Sequence, residues 1–350
     1  MIFQNGKKLR YDRLLIAVGA YAVKPQVEGS DLEGVVYLDS MQQTNQMARK
    51  ARWQKRAVVV GGGITALEMV EGLQARGVRV DFFIRGERYW NRVLDEIESK
   101  IVQHRLKEEG VRVHLNTELA RVLDRSGKVV GVETKDGRRF PTKMVGFAIG
   151  VRPRLGLAKA SGIDFGRGIR VNPYLETSCP GIYAAGDVAE VYDPESGKWI
   201  VDSLWPVARH QGMVAGMNMA GKRQPYQRRS PMNVTRLTGV TTTIIGKVGT
   251  GEPEGDLSIV RGESQTWHQR PDAVVCQDQE DVNRLRVLVG EQKILGALLM
   301  GDQTLSRPLE ELVAGEVDKT PIRESITQPG ADMSNIIMRY WHEWRKVNAH

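Results

Sequence analysis

Four consecutive apolar residues, Ala57-Val58-Val59-Val60, run without alternation into Gly61-Gly62-Gly63, and the apolar positions then change to a helical rhythm at Ile64, Leu67 and Val70. A short β-branched run of this kind is the text of a buried parallel strand, and the change of period marks a turn into a helix. Gly77 closes that helix, and Val78 to Ile84 reads as the next strand. The same reasoning predicts a hairpin at Asn5-Gly6, a buried strand over 13–20 and a polar, helix-prone connector over 38–56. A helix over 95–109 ends at Gly110, and a strand over 111–114 follows. Segments 119–123, 129–134 and 139–140 are separated by Ser126-Gly127 and Asp136-Gly137. Those dipeptides suit tight hairpins, so a three-stranded meander is expected before the last strand at 144–149.

Past residue 150 the pattern predicts a helix over 207–220, broken by Gly221-Lys222-Arg223-Gln224-Pro225. Antiparallel strands are expected over 234–239, 241–246, 283–289 and 294–300, and a helix over 305–315. The tail, 333–347, spaces Ile336, Ile337, Tyr340, Trp341 and Trp344 along one face of an amphipathic helix. Packing onto its own domain is the default expectation, and a partner surface is the sharper alternative because two tryptophans are a large apolar load to expose.

The strand, glycine turn, helix and strand around residue 61 carry chemistry. Gly61, Gly63 and Ala66 fit the spacing G-x-G-x-x-G/A, in which the first small residue allows a tight turn, the second lets a pyrophosphate approach the backbone, and the third lets helix pack on strand. Gly62 and Ile64 complete the turn, and the helix starts with its free N–H groups and positive dipole end toward the pyrophosphate. At the end of the following strand a carboxylate normally binds the ribose 2′-hydroxyl of NAD, but here Ile84 is followed by Arg85 and Arg88. A missing acid with two cations nearby tolerates a 2′-phosphate, which favours NADP(H) over NAD(H). The alternative is that both arginines are solvated loop charges.

At 350 residues the chain has room for two or three domains. Its net charge of +8 comes from dispersed lysines and arginines, with no run of five or more, so nucleic-acid binding is disfavoured and an anion-friendly surface is expected. Cys179 and Cys276 have no disulfide, zinc or iron–sulfur spacing, so no metal is expected. His210 and His268 stand alone and carry no catalytic pattern. No apolar stretch of membrane-spanning length and no signal peptide is found, which reads as a cytoplasmic chain.

The segment YDRLLIAVGAYAVKPQVEG, the glycine motif, Gly150-Val151-Arg152-Pro153 and the run TSCPGIYAAGD from Thr177 to Asp187 occur in that order. This succession resembles the FAD-dependent pyridine nucleotide-disulfide oxidoreductases, in particular the branch of rubredoxin reductases and nitrite reductase large-subunit flavin domains. The resemblance implies an α/β chain in which a Rossmann-like NAD(P)-binding domain, 51–150, is inserted in a partial FAD-binding domain, 1–50 and 151–225, followed by a C-terminal α+β domain, 226–350. It implies that Gly19, Gly186 and Asp187 border the flavin, with the aspartate accepting hydrogen bonds from the ribityl chain. Gly150 marks the return toward the flavin domain, and Glu68 matches a glutamate near the nicotinamide that orients it. The dipole of the helix starting near residue 207 would stabilise negative charge on a reduced flavin.

The family's leading glycine fingerprint, which holds the FAD pyrophosphate, has no counterpart in these residues. The expectation is therefore a flavin-dependent NAD(P)H oxidoreductase that passes electrons to a protein or small-molecule acceptor, with a partner chain as a candidate source of the leading FAD half. The competing expectation is a truncated or degenerate nucleotide-binding or scaffold subunit that needs another chain for FAD.

Overall fold

The computed structural model describes residues 1–3, 5–194, 196–228, 230–249, 283–328 and 330–348, and the backbone of 274–280. His268 lies outside the described residues. Contacts divide the chain into two compact units, one built from Met1–Ala22 with Val151–Arg229, the other from Val23–Gly150 with the described residues from Ser230 onward.

The second unit is organised on a five-stranded sheet. Its strand order is Val35–Val36, Val145–Phe147, Arg56–Val60, Arg79–Phe83 and Arg112–His114, all parallel. The central strand is apolar without alternation because both its faces are covered: Ala57, Val58 and Val59 are all at most 1% exposed. Residues 35–36, which an expected boundary at 50 assigns to the flavin half, pair here with Val145 and Gly146.

Three helices serve this sheet. Helix α1 (Met41–Ala51) is capped by Ser40, whose hydroxyl accepts from the Gln43 N–H. Helix α2 (Ile64–Gln74) starts at Gly63, and helix α3 (Glu96–Glu108) has a capping box in which Asp95 and Glu98 each bond the other's backbone N–H. The expected meander forms as Leu119–Arg125, Lys128–Thr134 and Arg139–Pro141.

In the first unit, Leu14–Ile16 pairs in parallel with Ile182–Ala184, and Ala20–Ala22 pairs antiparallel with Val151–Pro153. A sheet of Ile169–Val171, Ala189–Asp193 and Lys198–Ile200 lies beside the short helix α4 (Gly156–Ser161) and the long helix α5 (Trp205–Met219). Pro206 sits in the first turn of α5, where its missing N–H costs nothing. Buried Asn218, near the end of α5, holds the chain that follows. Its amide donates to Tyr174 O and Gln224 O, and its oxygen accepts from Gln224 N–H.

The C-terminal part of the second unit is a sheet of order Met232–Leu237, Val240–Gly246, Ile294–Met300, Asn283–Val289 and Val274–Glu280, antiparallel throughout. Its helices are α6 (Ser306–Ala314), α7 (Thr320–Thr327) and α8 (Met333–Asn348). Met333, Ile337 and Trp341 of α8 are buried, and the Trp341 indole N–H donates to Glu311 Oε2 at 2.8 Å. The amphipathic face of the tail thus packs on its own domain, as the default expectation has it.

This part shares its core with the dinucleotide-type sheet. Leu237, Val240, Ile244, Leu298 and Met300 cluster with Leu67, Val70, Leu73 and Leu106 of α2 and α3. Two polar anchors reinforce the contact. The turn at Thr238-Gly239 is held by α2 and α3: Thr238 N–H donates to Glu71 Oε1 at 2.8 Å, and Arg105 Nε donates to Thr238 O at 3.0 Å. Glu98, fully buried, receives Arg286 through both carboxylate oxygens, at 2.8 and 3.0 Å, and Arg284 at 3.4 Å. Buried guanidinium and carboxylate groups persist only when paired in this way.

Candidate dinucleotide and flavin sites

The glycine turn lies at the carboxyl edge of the parallel sheet, where ligands bind in such folds. Gly61 leaves Val60 with φ +156°, and a Cβ added there would stand 2.3 Å from Ala148 O and 2.9 Å from Ala66 Cβ. Gly61 is therefore required by its neighbours, whether or not a ligand is bound. Gly62 is different, since a Cβ there would meet only Ile84 Cγ2 at 3.8 Å. Gly63 is the N-cap of α2 and offers no side chain to its first turn. Ile64 and Ala66 are buried, so what this turn presents outward is the backbone N–H groups of α2, with no acidic residue beside them. That is a cradle suited to a pyrophosphate. Glu68 lies exposed on the same helix, one turn further on.

Beyond the next strand, Ile84 is buried and Arg85 exposed. Arg88 is folded back on its own loop: one Nη donates to Glu87 Oε1 at 2.6 Å, the other reaches Asn91 O at 3.5 Å, and its Nε is buried without a partner. Glu118 is held below the usual carboxylate range, first by Lys135 and lastly by Arg85. Both cations thus have carboxylate neighbours, so less positive charge is left for a 2′-phosphate than the sequence suggests.

The pattern of apolar residues did not reveal how this loop is fixed. Trp90 N–H donates to Gly62 O at 3.1 Å, and Asn116 N–H to Gly86 O at 3.0 Å. Trp90 has φ +48°, a strained conformation for a bulky residue. Its ring and that of Tyr89 are buried, with the Trp90 Nε1 and the Tyr89 hydroxyl unpaired. Burial first, then Glu71 and Glu68, hold the Tyr89 phenol well above its usual pKa. The loop carrying the two arginines is thereby tied to the cradle.

In the first unit, Gly19 and Gly186 follow two adjacent parallel strands at the same carboxyl edge, with Ala185 N–H donating to Ile16 O. Gly19 has φ +67° and open space where a Cβ would point. Gly186 has φ +77°, and its N–H donates to Oε1 of Gln211, which is 1% exposed on α5. Gln211 orients this turn, and a helical glutamine gave no sequence signal for it. Asp187 is the middle residue of the short 3₁₀ turn Gly186–Val188. Arg152, opposite Tyr21 in the neighbouring strand pair, leaves its Nε buried and unpaired. An open left-handed glycine, a carboxylate and an unsatisfied guanidinium N–H fit a polar, phosphate-bearing cofactor such as FAD. Gly150, with φ +113°, ends the last segment of the dinucleotide part, and its carbonyl accepts from Val23 N–H.

The His210 ring lies tilted against Tyr226, centroids 5.2 Å apart, and Cys179 is a free thiol of intermediate exposure. Among the described residues no cluster of three or more metal-ligating side chains occurs, and no helix is long and apolar enough to cross a membrane.

The fold is shared with solved redox proteins. A ferredoxin reductase from Rhodopseudomonas palustris superposes with TM-score 0.80 at 22% identity, covering 95% of this chain and 77% of that one. The putidaredoxin reductase–putidaredoxin complex gives TM-score 0.80 at 21% identity, covering 97% and 77%. Among sequences, similarity is found to an NADH oxidase of Methanocaldococcus jannaschii, 36% identical over 62% of this chain and 49% of the relative. The nitrite reductase [NAD(P)H] of Bacillus subtilis is 27% identical over 91% and 37%. The ferredoxin–NAD(+) reductase component of a biphenyl dioxygenase system from Paraburkholderia xenovorans is 31% identical over 75% and 63%. The chain thus spans less than two thirds of each of these three relatives. The sequence profile described as Pyridine nucleotide-disulphide oxidoreductase matches residues 3–212, a region that holds both glycine sites, and the chain belongs to that family.

Proposed function

We propose that the chain acts in a flavin-dependent NAD(P)H oxidoreductase, binding the reduced dinucleotide on α2 and bordering the flavin with Gly19, Gly186 and Asp187. The observation that carries this is the turn from Gly61 to Ala66, an open backbone cradle at the carboxyl edge of a parallel sheet, with an acid-free helix start beneath it. Nicotinamide and flavin together supply the hydride chemistry, and the protein supplies alignment and electrostatics. The first turn of α2 binds the pyrophosphate, Glu68 orients the nicotinamide, and the Gln211 contact fixes the backbone before Asp187.

NADP(H) is the preferred dinucleotide, because Ile84 replaces an acid and Arg85 is exposed next to it. An NADPH oxidase engineered from a NADH oxidase, similar in fold to this chain, carries an aspartate-to-alanine change and, beside it, an alanine-to-arginine change. That exchange of acid for cation is the chemistry offered here. Electrons leave to a small redox protein or a small-molecule acceptor, a reading supported by a relative named rubredoxin-NAD(+) reductase and by the putidaredoxin complex. A cytoplasmic setting and a partner chain completing the FAD half belong to the same proposal.

The test is spectroscopic. Purified protein, with FAD added, is mixed anaerobically with NADPH or NADH, and the flavin band is followed. Bleaching of bound flavin, faster with NADPH, supports the reading. Dinucleotide binding with no flavin band under any FAD addition would leave a nucleotide-binding subunit instead.

A further inference from the structure

Residues 40–67 contain Arg49, Lys50, Arg52, Lys55 and Arg56, and no aspartate or glutamate. The structure gathers part of this charge into a cleft of about 350 Å³ lined by Asn45, Ala48, Arg49 and Arg52 of the α1 end and by Arg76 just beyond α2. Arg49 donates to Asn45 O and Arg76 to Gly72 O, each back onto its own helix. Among the described residues none of the three arginines is paired with a carboxylate. Positive charge thus goes unpaired locally here, whereas Arg112, Arg121, Arg138 and Arg139 of the same unit face acids.

The bland account is that these arginines neutralise the two helix C-termini that converge on the cleft. Each terminus carries only about half a negative charge. Three guanidiniums exceed that demand by about two charges. The cleft is also separate from the dinucleotide cradle: Gly63 opens α2 and Arg76 follows its end, and eleven helical residues span roughly 16 Å.

We infer that this cleft is a second anion site, taking a small ligand with two closely spaced negative groups, such as a pyrophosphate or bisphosphate moiety. Guanidiniums bind phosphate oxygens in pairs, which lysines cannot reproduce, and Arg49, Arg52 and Arg76 are all exposed in this open cleft, where a phosphorylated small molecule can reach them from solvent. Asn45 adds a neutral amide that can serve a hydroxyl or phosphate oxygen.

Isothermal titration of the full chain with inorganic pyrophosphate, at fixed ionic strength and saturating NADPH, tests this. One equivalent is expected to bind with the dinucleotide already in place. Arg52→Glu with Arg76→Glu should weaken it about tenfold or more. The paired Arg→Lys variants should lose part of the affinity, and Lys107→Glu, a cation-to-anion change at one site on exposed α3, should leave it unaltered. If the glutamate pair fails to fold by circular dichroism, Arg52→Gln with Arg76→Gln replaces it. The inference is overturned if saturating NADPH abolishes pyrophosphate binding, if Lys107→Glu weakens it equally, if polyglutamate binds as well as pyrophosphate, or if nothing binds. A silent NADPH titration would count against the dinucleotide site alone, and the arginine variants would still decide the cleft.

Discussion

Replacing Gly61 with alanine forces a methyl carbon to 2.3 Å from the Ala148 carbonyl oxygen and 2.9 Å from Ala66 Cβ, in a backbone conformation of φ +156° that side chains rarely adopt. Ordinary contact begins at 3.4 Å, so the overlap with the carbonyl is about 1 Å. Neither side can retreat cheaply. Ala148 N–H is bonded to Val60 O at 2.9 Å, and Gly61 N–H to Phe83 O at 3.1 Å, so movement costs ladder bonds on both flanks. Overpacking of this kind costs about 1–3 kcal/mol. For a unit of this size that is a fall in Tm of roughly 2–12 °C.

The internal control is one residue away. Gly62→Ala adds a carbon that meets only Ile84 Cγ2 at 3.8 Å, and its stability should stay within about 0.5 kcal/mol of the parent. Displacing Ala66 also tilts the first N–H groups of α2, so Gly61→Ala should bind NADPH about tenfold more weakly, the loss of one charge-assisted hydrogen bond. Thermal denaturation followed by circular dichroism and a fluorescence titration with NADPH measure both. Equal melting temperatures for Gly61→Ala and the parent would show that the turn is not packed as described, and a Gly62→Ala protein as unstable as Gly61→Ala would refute the distinction between the two glycines.

Glu71 has its pKa raised from 4.5, by burial first, against the opposing pull of the Thr238 N–H. A raised folded pKa favours the protonated form on folding, so that contribution is lost as pH rises through it. Glu71→Gln, which keeps an acceptor oxygen, should therefore be at least as stable as the parent at neutral pH, with the difference shrinking as pH falls toward 4.5. Glu71→Ala orphans the Thr238 N–H, 1% exposed, and should cost about 1–3 kcal/mol in urea denaturation. Arg286→Met leaves buried Glu98 with the Asp95 N–H and the longer Arg284 contact, and a loss of about 3–5 kcal/mol is expected by the same measurement. Arg85→Asp should shift the ratio of NADPH to NADH dissociation constants about 10- to 100-fold toward NADH, and an unchanged ratio would mark Arg85 as a solvated loop charge.

What could be seen in the sequence and what could not follows from the range of the forces involved. The cradle was legible because its demands are local: a β-branched run, glycines at fixed spacing and a change of period all fall within residues 57–84, and the strand, turn and α2 form there. The meander was legible because Ser126-Gly127 and Asp136-Gly137 impose their turns without help from elsewhere. Family membership was legible from the order of motifs. The strand Val35–Val36 was missed, since two residues carry no period and acquire a partner only from Val145 and Gly146, more than a hundred residues on. Gln211, Glu71 and Glu98 were missed as anchors for the same reason: each is an ordinary helical polar residue until a distant backbone N–H or guanidinium arrives.

Arg88 shows the converse. Its charge was counted as available to a ligand, yet the adjacent Glu87 and the Asn91 carbonyl take it up, a choice of rotamer on which spacing is silent. The three arginines of the α1 cleft are the opposite case, cations that no carboxylate pairs among the described residues. An arriving phosphate meets only the charge that the fold's own acids leave over, and in the loop after Ile84 both Arg85 and Arg88 already have carboxylate neighbours.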